Sequence, residues 1–492
     1  MTAIAVAAPN PAAADAAVQV ARAGGSAVDA AIAAALVAMV NEVGLVSLSS
    51  GAFVTVQPAG GSAYAVDGWV DMPGRGRPAD AAVNTWDVST PYSGGLTMTI
   101  GPGSVATHGS LAAFGEAHAR DGRLPWRELV APAIDVARGG FRIGSASRYY
   151  LDFVHESVFG WDLESHRALH HADGRLRDGL VVVADLAGTL EVIAADGPRA
   201  LHEGDVARLV ATDVQARGGL LGAADLASYA AVVRAPLTTR IGPWSLATTP
   251  PPSVGGVVVA AMLRLLDGRP LAGWDEGDVD HLVRVQRAVL RHRRDVLEKA
   301  ADLDAASQAW LDLVAADHRA VLESGSTAQV SVSDAEGAAC SLTVSSGYGA
   351  GMIAAGTGIW LNNCLGEQEL NPPGRRVAAG SRLLSNMAPT VGRHDDGSTL
   401  AIGSPGADRI TTAVVSTLAG FVNGGLDLAA AVAHPRVHVH RAGLPDEEVR
   451  VEDELSMYYG GVGAALTRAD ESLEAVADPR RAGVTRITPG RG

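Results

Sequence analysis

Ser324-Gly325-Ser326-Thr327-Ala328-Gln329-Val330-Ser331 is where the chain changes character. Upstream, residues 277–300 read as a charged helix, with His292, Arg293, Arg294 and Asp295 on a solvated face. Downstream, small polar and apolar residues alternate, which sends successive side chains to opposite faces of an extended strand. The alternation predicts strands at 328–333, 339–344, 358–361 and 399–402, then helices over roughly 410–422 and 427–433.

Moving toward the N-terminus, residues 233–249 read as strand, ending at the rigid Pro250-Pro251-Pro252. Residues 105–145 and 185–232 read mostly as amphipathic helix with Gly punctuation. Residues 51–56 form a strand that pairs with residues 62–66 across a turn containing Gly60 and Gly61. Residues 12–40 are one or two Ala-rich helices broken at Ala23-Gly24-Gly25-Ser26. Strand-rich and helix-rich stretches in both halves predict layered α/β packing, with helices covering antiparallel sheets. There is no long-period repeat, no low-complexity linker and no domain boundary visible in the composition.

The 492 residues are 47% hydrophobic but only 4% aromatic, so the core must be built from Ala, Val, Leu and Ile. A net charge of −15 argues against a nucleic-acid or anionic-membrane partner. Lys299 is the sole lysine, a sign of high-GC codon usage. Cys340 and Cys364 are too few for a disulfide framework and have no CxxC spacing, so they read as buried free thiols. The N-terminus has no basic n-region, and the apolar run Ala27–Val40 is too short to span a bilayer, which predicts a cytoplasmic protein without a signal peptide. His434, His438 and His440 have a spacing compatible with a metal, but structural roles are favoured, and His170-His171 reads as an exposed loop pair. No P-loop or dinucleotide fingerprint occurs, and neither a metal nor a cofactor is expected.

Several segments in order resemble the γ-glutamyltransferase family. They are Ala23–Ala31 (AGGSAVDAA), Pro102–Gly109 (PGSVATHG), Gly122–Phe141 (GRLPWRELVAPAIDVARGGF), Val214–Leu221 (VQARGGLL) and Thr249–Gly256 (TPPPSVGG). The second half adds Gly356–Asn363 (GTGIWLNN), Leu384–Thr390 (LSNMAPT), Gly403–Thr412 (GSPGADRITT) and Ala433–His438 (AHPRVH). The resemblance runs from about residue 7 to Asp478-Pro479-Arg480-Arg481. It implies the four-layer αββα sandwich of N-terminal-nucleophile hydrolases. It also implies a precursor that cuts itself into a large-subunit region, 1–326, and a small-subunit region, 327–492, which stay associated as one structural unit.

Thr327 matches the family's nucleophile. Taken alone, a threonine at a loop-to-strand junction is more often structural; the flanking order favours the functional reading. A hydroxyl is a weak nucleophile and needs an adjacent base. The α-amine exposed by cutting Ser326–Thr327 has an ordinary pKa of about 7.7–8.0 and suits that task. Gly406 and Ala407 match the backbone donors of the oxyanion hole, and Ser345, with Thr343 as rival, matches a hydroxyl that hydrogen-bonds the nucleophile.

The departures concern substrate. Ala328 and Gln329 replace the family's second threonine and histidine. The arginine that grips the substrate α-carboxylate falls at Trp69, unless Arg75 or Arg77 reaches the same place. The aspartate that holds the α-amino group falls near Glu367, in a stretch that also holds Asn363. The family's serine pair becomes Ser385-Asn386. Trp69, Asn363, Glu367, Ser385 and Asn386 are therefore the expected substrate-binding residues. The expected activity is acyl-enzyme hydrolysis or transfer on a small molecule other than free glutathione. Two alternatives stand beside it. One is C–C bond hydrolysis, as in γ-glutamyltransferase-like proteins of actinomycete alkylproline biosynthesis. The other is a non-enzymatic descendant that keeps the fold as a scaffold.

Overall fold

The computed structural model describes residues 1–78, 81–92, 95–267, 274–316, 328–371, 376–406 and 409–489. Thr327 and Ala407 lie outside the described residues.

The first strand, β1 (Ile4–Ala8), leads into two short-spaced helices, α1 (Pro11–Arg22) and α2 (Ala27–Asn41). Asn10 caps α1 by accepting from the Ala13 amide at 3.0 Å, and Pro11 supplies the fixed φ that suits a first helical position. Ser26 and Asp29 form a reciprocal capping box on α2. Between them Gly24 takes φ +102°, a conformation that costs glycine little. All 15 residues of α2 are buried. A side chain as small as Ala lets this helix lie between the strands beneath it and the helix above it.

β2 (Gly51–Gln57) and β3 (Tyr64–Gly68) form the expected hairpin. A second hairpin, β4 (Trp86–Thr90) with β5 (Leu96–Ile100), stands outside the main sheets. A helical stretch follows: α3 (Ser110–Asp121), α4 (Trp126–Gly139), α5 (Ser145–Val154), α6 (Leu163–Leu169), α7 (Leu186–Asp196), α8 (Gly204–Ala216) and α9 (Ala223–Ala227). Next come β6 (Val232–Arg234), β7 (Leu237–Ile241), β8 (Trp244–Thr248), α10 (Val254–Leu266), α11 (Glu276–Asp295) and α12 (Leu303–Ala316). The second half holds β9 (Ala328–Asp334), β10 (Ala339–Ser345), β11 (Ile353–Ala354), β12 (Ile359–Trp360), β13 (Thr390–His394) and β14 (Thr399–Gly403). It ends with α13 (Arg409–Val422), α14 (Leu428–Ala433), β15 (Val437–His440), β16 (Glu448–Val451), β17 (Gly463–Thr467), β18 (Leu473–Ala477) and β19 (Val484–Ile487).

Two antiparallel sheets result. One has the order β19-β1-β9-β10-β2-β3-β6, the other β18-β17-β14-β13-β8-β7. Helices α1 and α2 cover the first, with α4 packed on α2; α10 and α13 cover the second. This is the four-layer αββα sandwich. The two outer interfaces are apolar, whereas the sheet-to-sheet interface is made by small and hydroxylic side chains. Ser331 Oγ donates to the Gly463 carbonyl at 2.9 Å, and Ser341 Oγ to that of Ile402 at 2.9 Å. Ser333 and Thr467 hydroxyls lie 2.7 Å apart, and Ala247, Ala339, Val391 and Ala401 fill the apolar gap. Small side chains bring the two backbones close enough for these bonds, consistent with the scarcity of aromatics.

Two surface expectations need correcting. Arg293 is fully buried rather than solvated: the turn after α11 brings Glu298 back to its Nε at 2.8 Å. Its neighbour His292 stacks on Trp310. His170 is buried rather than exposed, with its Nε2 2.9 Å from Nδ1 of His155 and its ring stacked on His166. Cys340 and Cys364 are buried free thiols, as expected.

Candidate active site

β9 begins at Ala328, directly after the Thr327 position, and lies in the interior of its sheet between β1 and β10. Ala328 pairs with Val344 and Gln329 with Thr343. The Gln329 side chain is enclosed between the sheets. Its Nε2 lies 3.0 Å from each of the Val330 carbonyl, Ser331 Oγ and Ser341 Oγ, and its Oε1 accepts from Thr343 Oγ1 at 2.6 Å. Thr343 is thus engaged by Gln329. Ser345, at the free end of β10, accepts from the Gly347 amide at 3.0 Å.

Across the interface, β14 ends at Gly403, where a Cβ would lie 2.2 Å from Gln329 Oε1. Gln329 therefore fixes how closely the Gly403-Ser404-Pro405-Gly406 loop approaches the start of β9. Ser404 Oγ donates to the Pro405 carbonyl at 2.6 Å and accepts from the Gly461 amide at 3.0 Å. Gly406 takes φ +134°, and a Cβ there would meet Gly460 Cα at 2.7 Å, so both conformation and space demand glycine.

The loop's backing is a buried ion cluster that ties two distant motifs together. Arg436 Nη2 donates to Asp478 Oδ2 at 2.6 Å, and its Nη1 to the Tyr459 carbonyl at 2.9 Å. Arg480 pairs with Glu452 at 2.5 Å and with Asp478 at 3.1 Å. His438, in the same motif as Arg436, is fully buried with Nδ1 3.2 Å from Thr412 Oγ1. No group of three or more metal-type ligands is found among the described residues.

The expected substrate-binding residues lie beside β2 and β10. Trp69 is 2% exposed; its ring backs onto Gly51 and stacks with Phe53, and its Nε1 donates to the Leu384 carbonyl at 2.9 Å. The indole N–H is therefore not free for a ligand. Arg75 and Arg77 are exposed. The arginine that does lie beneath Trp69 is Arg382, which donates to the Trp69 carbonyl at 2.8 Å and pairs with Asp67 at 3.2 Å and Asp71 at 2.9 Å. Burial pushes the Asp71 carboxyl up to about 6 despite Arg382. Sequence reasoning missed Arg382, because nothing local distinguishes it from a surface arginine.

Asn363 accepts from the Tyr348 amide at 2.6 Å and donates to the Thr99 carbonyl at 3.1 Å, so its amide is engaged with backbone. Its neighbour Asn362, also missed, clamps Ser49, Ala106 and Cys364. Glu367 is 2% exposed, and its Oε1 has no hydrogen-bond partner. Burial holds its carboxyl well above the ordinary range, Glu369 adds to this, and only the Cys364 thiol opposes it. Ser385 and Asn386 are buried against the N-terminus of α10, with the Ser385 carbonyl accepting from the Val254 amide at 2.8 Å.

Residues 13–488 match the sequence profile of the family described as gamma-glutamyltranspeptidase. The glutathione hydrolase proenzyme of Escherichia coli K12 is 29% identical over 480 residues, covering 89% of this chain and 81% of that protein. The acylase ACY 1 proenzyme of Pseudomonas sp. strain V22 is also 29% identical, over 472 residues, covering 89% and 83%. The crystal structure of cephalosporin acylase from Bacillus halodurans superimposes with a TM-score of 0.80 at 19% identity, covering all of this chain and 96% of that one. An interior strand that starts at the position after Thr327, a glycine loop aimed at its start and this profile over nearly the whole chain lead to one assignment: the chain belongs to the γ-glutamyltranspeptidase family of N-terminal-nucleophile hydrolases and is an enzyme of the hydrolase or transferase type.

Proposed function

We propose that the Ser326–Thr327 bond is cut by the chain itself and that the freed Thr327 is the nucleophile for an acyl substrate other than free glutathione. The observation that carries this reading is the seating of Gly403, where the Gly403–Gly406 loop begins, on Gln329, two residues past Thr327. In the proposed cycle the Thr327 α-amine takes the hydroxyl proton as Oγ attacks the acyl carbon. General-base help of this kind contributes about 10²–10⁴ in rate. The developing oxyanion is held by the backbone N–H groups of Gly406 and Ala407, and Ser345 orients the nucleophile's hydroxyl. The proton passes to the departing amine, and water or a second nucleophile then releases the acyl group from Thr327 Oγ. The regions 1–326 and 327–492 stay together after the cut; in support, each sheet takes strands from both sides of residue 327.

A free γ-glutamyl head group carries a carboxylate and an ammonium. Trp69 is a closed apolar contact where the first would need a cation, and burial raises the Glu367 carboxyl, which disfavours the anion that the second would need. A charged hydrogen bond contributes about 1.5–3 kcal/mol, so losing both disfavours that substrate by orders of magnitude.

Mass spectrometry of the purified protein tests the cut. Two fragments meeting at 326/327 are expected; an intact chain sinks the proposal. Release of anilide from γ-glutamyl p-nitroanilide is expected to be far slower than from simple acyl anilides. Gly406→Ala is expected to lower turnover on the accepted anilide about 10²-fold or more, the cost of one misplaced oxyanion donor being about 2.7–4 kcal/mol. A kcat within twofold of wild type would remove Gly406 from the site.

A further inference from the structure

Gln329 is 5% exposed, and its amide meets two serine hydroxyls that reach across to the second sheet. The direction of each hydrogen in this group is forced. The Val330 carbonyl can only accept, so the end of the side chain 3.0 Å from it is the NH2. The carbonyls of Gly463 and Ile402 also only accept, so the single hydroxyl hydrogens of Ser331 and Ser341 point at them, at 2.9 Å each. Both serine oxygens are left as acceptors, and the Gln329 NH2 faces both at 3.0 Å, its two hydrogens shared among three acceptors. The remaining oxygen, Oε1, takes the Thr343 hydroxyl hydrogen at 2.6 Å.

The two carbonyls at the far ends are the two flanks of one loop. Ile402, in β14, immediately precedes Gly403, where the loop begins. Gly463 opens β17 and follows Gly460 and Gly461, which close over the loop's other end. The Gly461 amide donates to Ser404 Oγ at 3.0 Å, and Gly460 Cα is the atom that a Cβ on Gly406 would meet at 2.7 Å. One amide on β9 thus reaches both flanks of the Gly403–Gly406 segment, through one hydroxyl each. Gly403 and Gly406 have no side chains with which to hold themselves in place, so their position is set by what grips the backbone around them.

We propose that Gln329 is a positioning residue of the reaction: its amide orients the Ser331 and Ser341 hydroxyls so that both flanks of the loop are held against β9 and the loop's backbone N–H groups keep their aim. This rests on the reading of Thr327 above; Gln329 acts through the loop and contacts no substrate in it. An amide suits the task because one end accepts from Thr343 while the other donates to two serines. A carboxylate of the same shape accepts at both ends. It would draw the serine hydrogens to itself, in stronger charged hydrogen bonds, and release the Ile402 and Gly463 carbonyls.

Q329E tests hydrogen-bond direction at constant shape. Its kcat on the accepted anilide is expected to be about tenfold or more below wild type at about pH 8.5, with KM within about twofold. The ratio of variant to wild type is expected to rise toward about pH 6, as the new carboxyl takes a proton and regains a hydrogen to donate. Glu42, Asp478 and Arg481 line the space beside Gln329 and are common to both proteins, so the ratio isolates position 329. Deuterium uptake of peptides covering 400–406 and 460–464 is expected to be faster in Q329E. A kcat within about twofold of wild type at both pH values, or a loss carried by KM with unchanged uptake, overturns the proposal. If Q329E does not fold, S341A and S331A each cut one arm: the first is expected to speed uptake at 400–406 and the second at 460–464, and unchanged uptake in both overturns it. The mass spectrum of the wild type reports the 326/327 cut independently. An uncut wild type fells the Thr327 reading, and uptake alone then decides whether Gln329 holds the loop. A cut and active wild type beside an indifferent Q329E fells Gln329 and leaves Thr327 standing.

Discussion

Thr327→Ala is expected to leave a single chain of 50.3 kDa where the wild type gives two fragments, and to abolish turnover. The same substitution removes two functions. Self-cleavage needs the hydroxyl to attack the preceding carbonyl, and turnover needs both that hydroxyl and the α-amine that cleavage exposes. Loss of an activated nucleophile elsewhere costs on the order of 10⁴–10⁶ in rate, and residual activity from an intact oxyanion hole alone is small. Thr327→Ser keeps hydroxyl and amine and is expected to process and turn over at a reduced rate. Ser345→Ala, which removes only the hydroxyl proposed to orient the nucleophile, should process slowly and lose about tenfold to a hundredfold in kcat. Mass spectrometry and anilide release read all three. A T327A protein that still splits at 326/327, or still turns over near the wild-type rate, would overturn the assignment of the nucleophile.

The legible parts of this fold were those written in local chemistry. Asn10-Pro11 and Ser26 with Asp29 announce helix starts, Gly24 announces the turn between them, and the Ala328–Ser333 alternation announces a strand with two distinct faces. The proposed site rests on an order of motifs, which nominates Thr327, Ser345 and Gly406 without any geometry. What the sequence did not give away depends on partners far along the chain. Arg293 sits in a run of charges that reads as solvated, and only the return of Glu298 and the packing of Trp310 on His292 bury it. Arg382 resembles any surface arginine until Asp67, Asp71 and the Trp69 carbonyl converge on it. Trp69 looked like a ligand-facing indole, but Gly51 and the Leu384 carbonyl close over it, since glycine at the start of β2 leaves room for the ring. Periodicity records which face a residue takes; it carries no information on who meets it there.

The motifs around Arg436 and Asp478 give the second large prediction, on stability. Asp478 receives four hydrogen bonds: from Arg436 Nη2, Arg480 Nη1 and the amides of Val462 and Arg480. With Glu452 it balances two buried guanidinium groups, Arg436 and Arg480. Asp478→Asn keeps the shape, removes the charge and turns one acceptor into a donor facing a cation. One acid then remains for two buried arginines. Breaking a buried pair by removing one partner costs about 3–5 kcal/mol, because the other charge is left uncompensated. Urea unfolding should therefore show a midpoint lowered by that energy divided by the m-value, with the m-value itself unchanged. The same change reaches the active site, since Arg436 also holds the Tyr459 carbonyl and the chain there backs Gly406 through Gly460. Turnover should fall under conditions where the protein is still fully folded, with the loss in kcat rather than KM, because the loop in its proposed oxyanion role acts on the transition state more than on the bound substrate. Arg436→Met leaves Asp478 and Glu452 to Arg480 alone, an imbalance of the same size and opposite sign, and should cost a comparable amount of stability if charge balance is the governing term. A D478N protein within about 1 kcal/mol of wild type would mean that the cluster is solvated in solution and that its motif serves some other end.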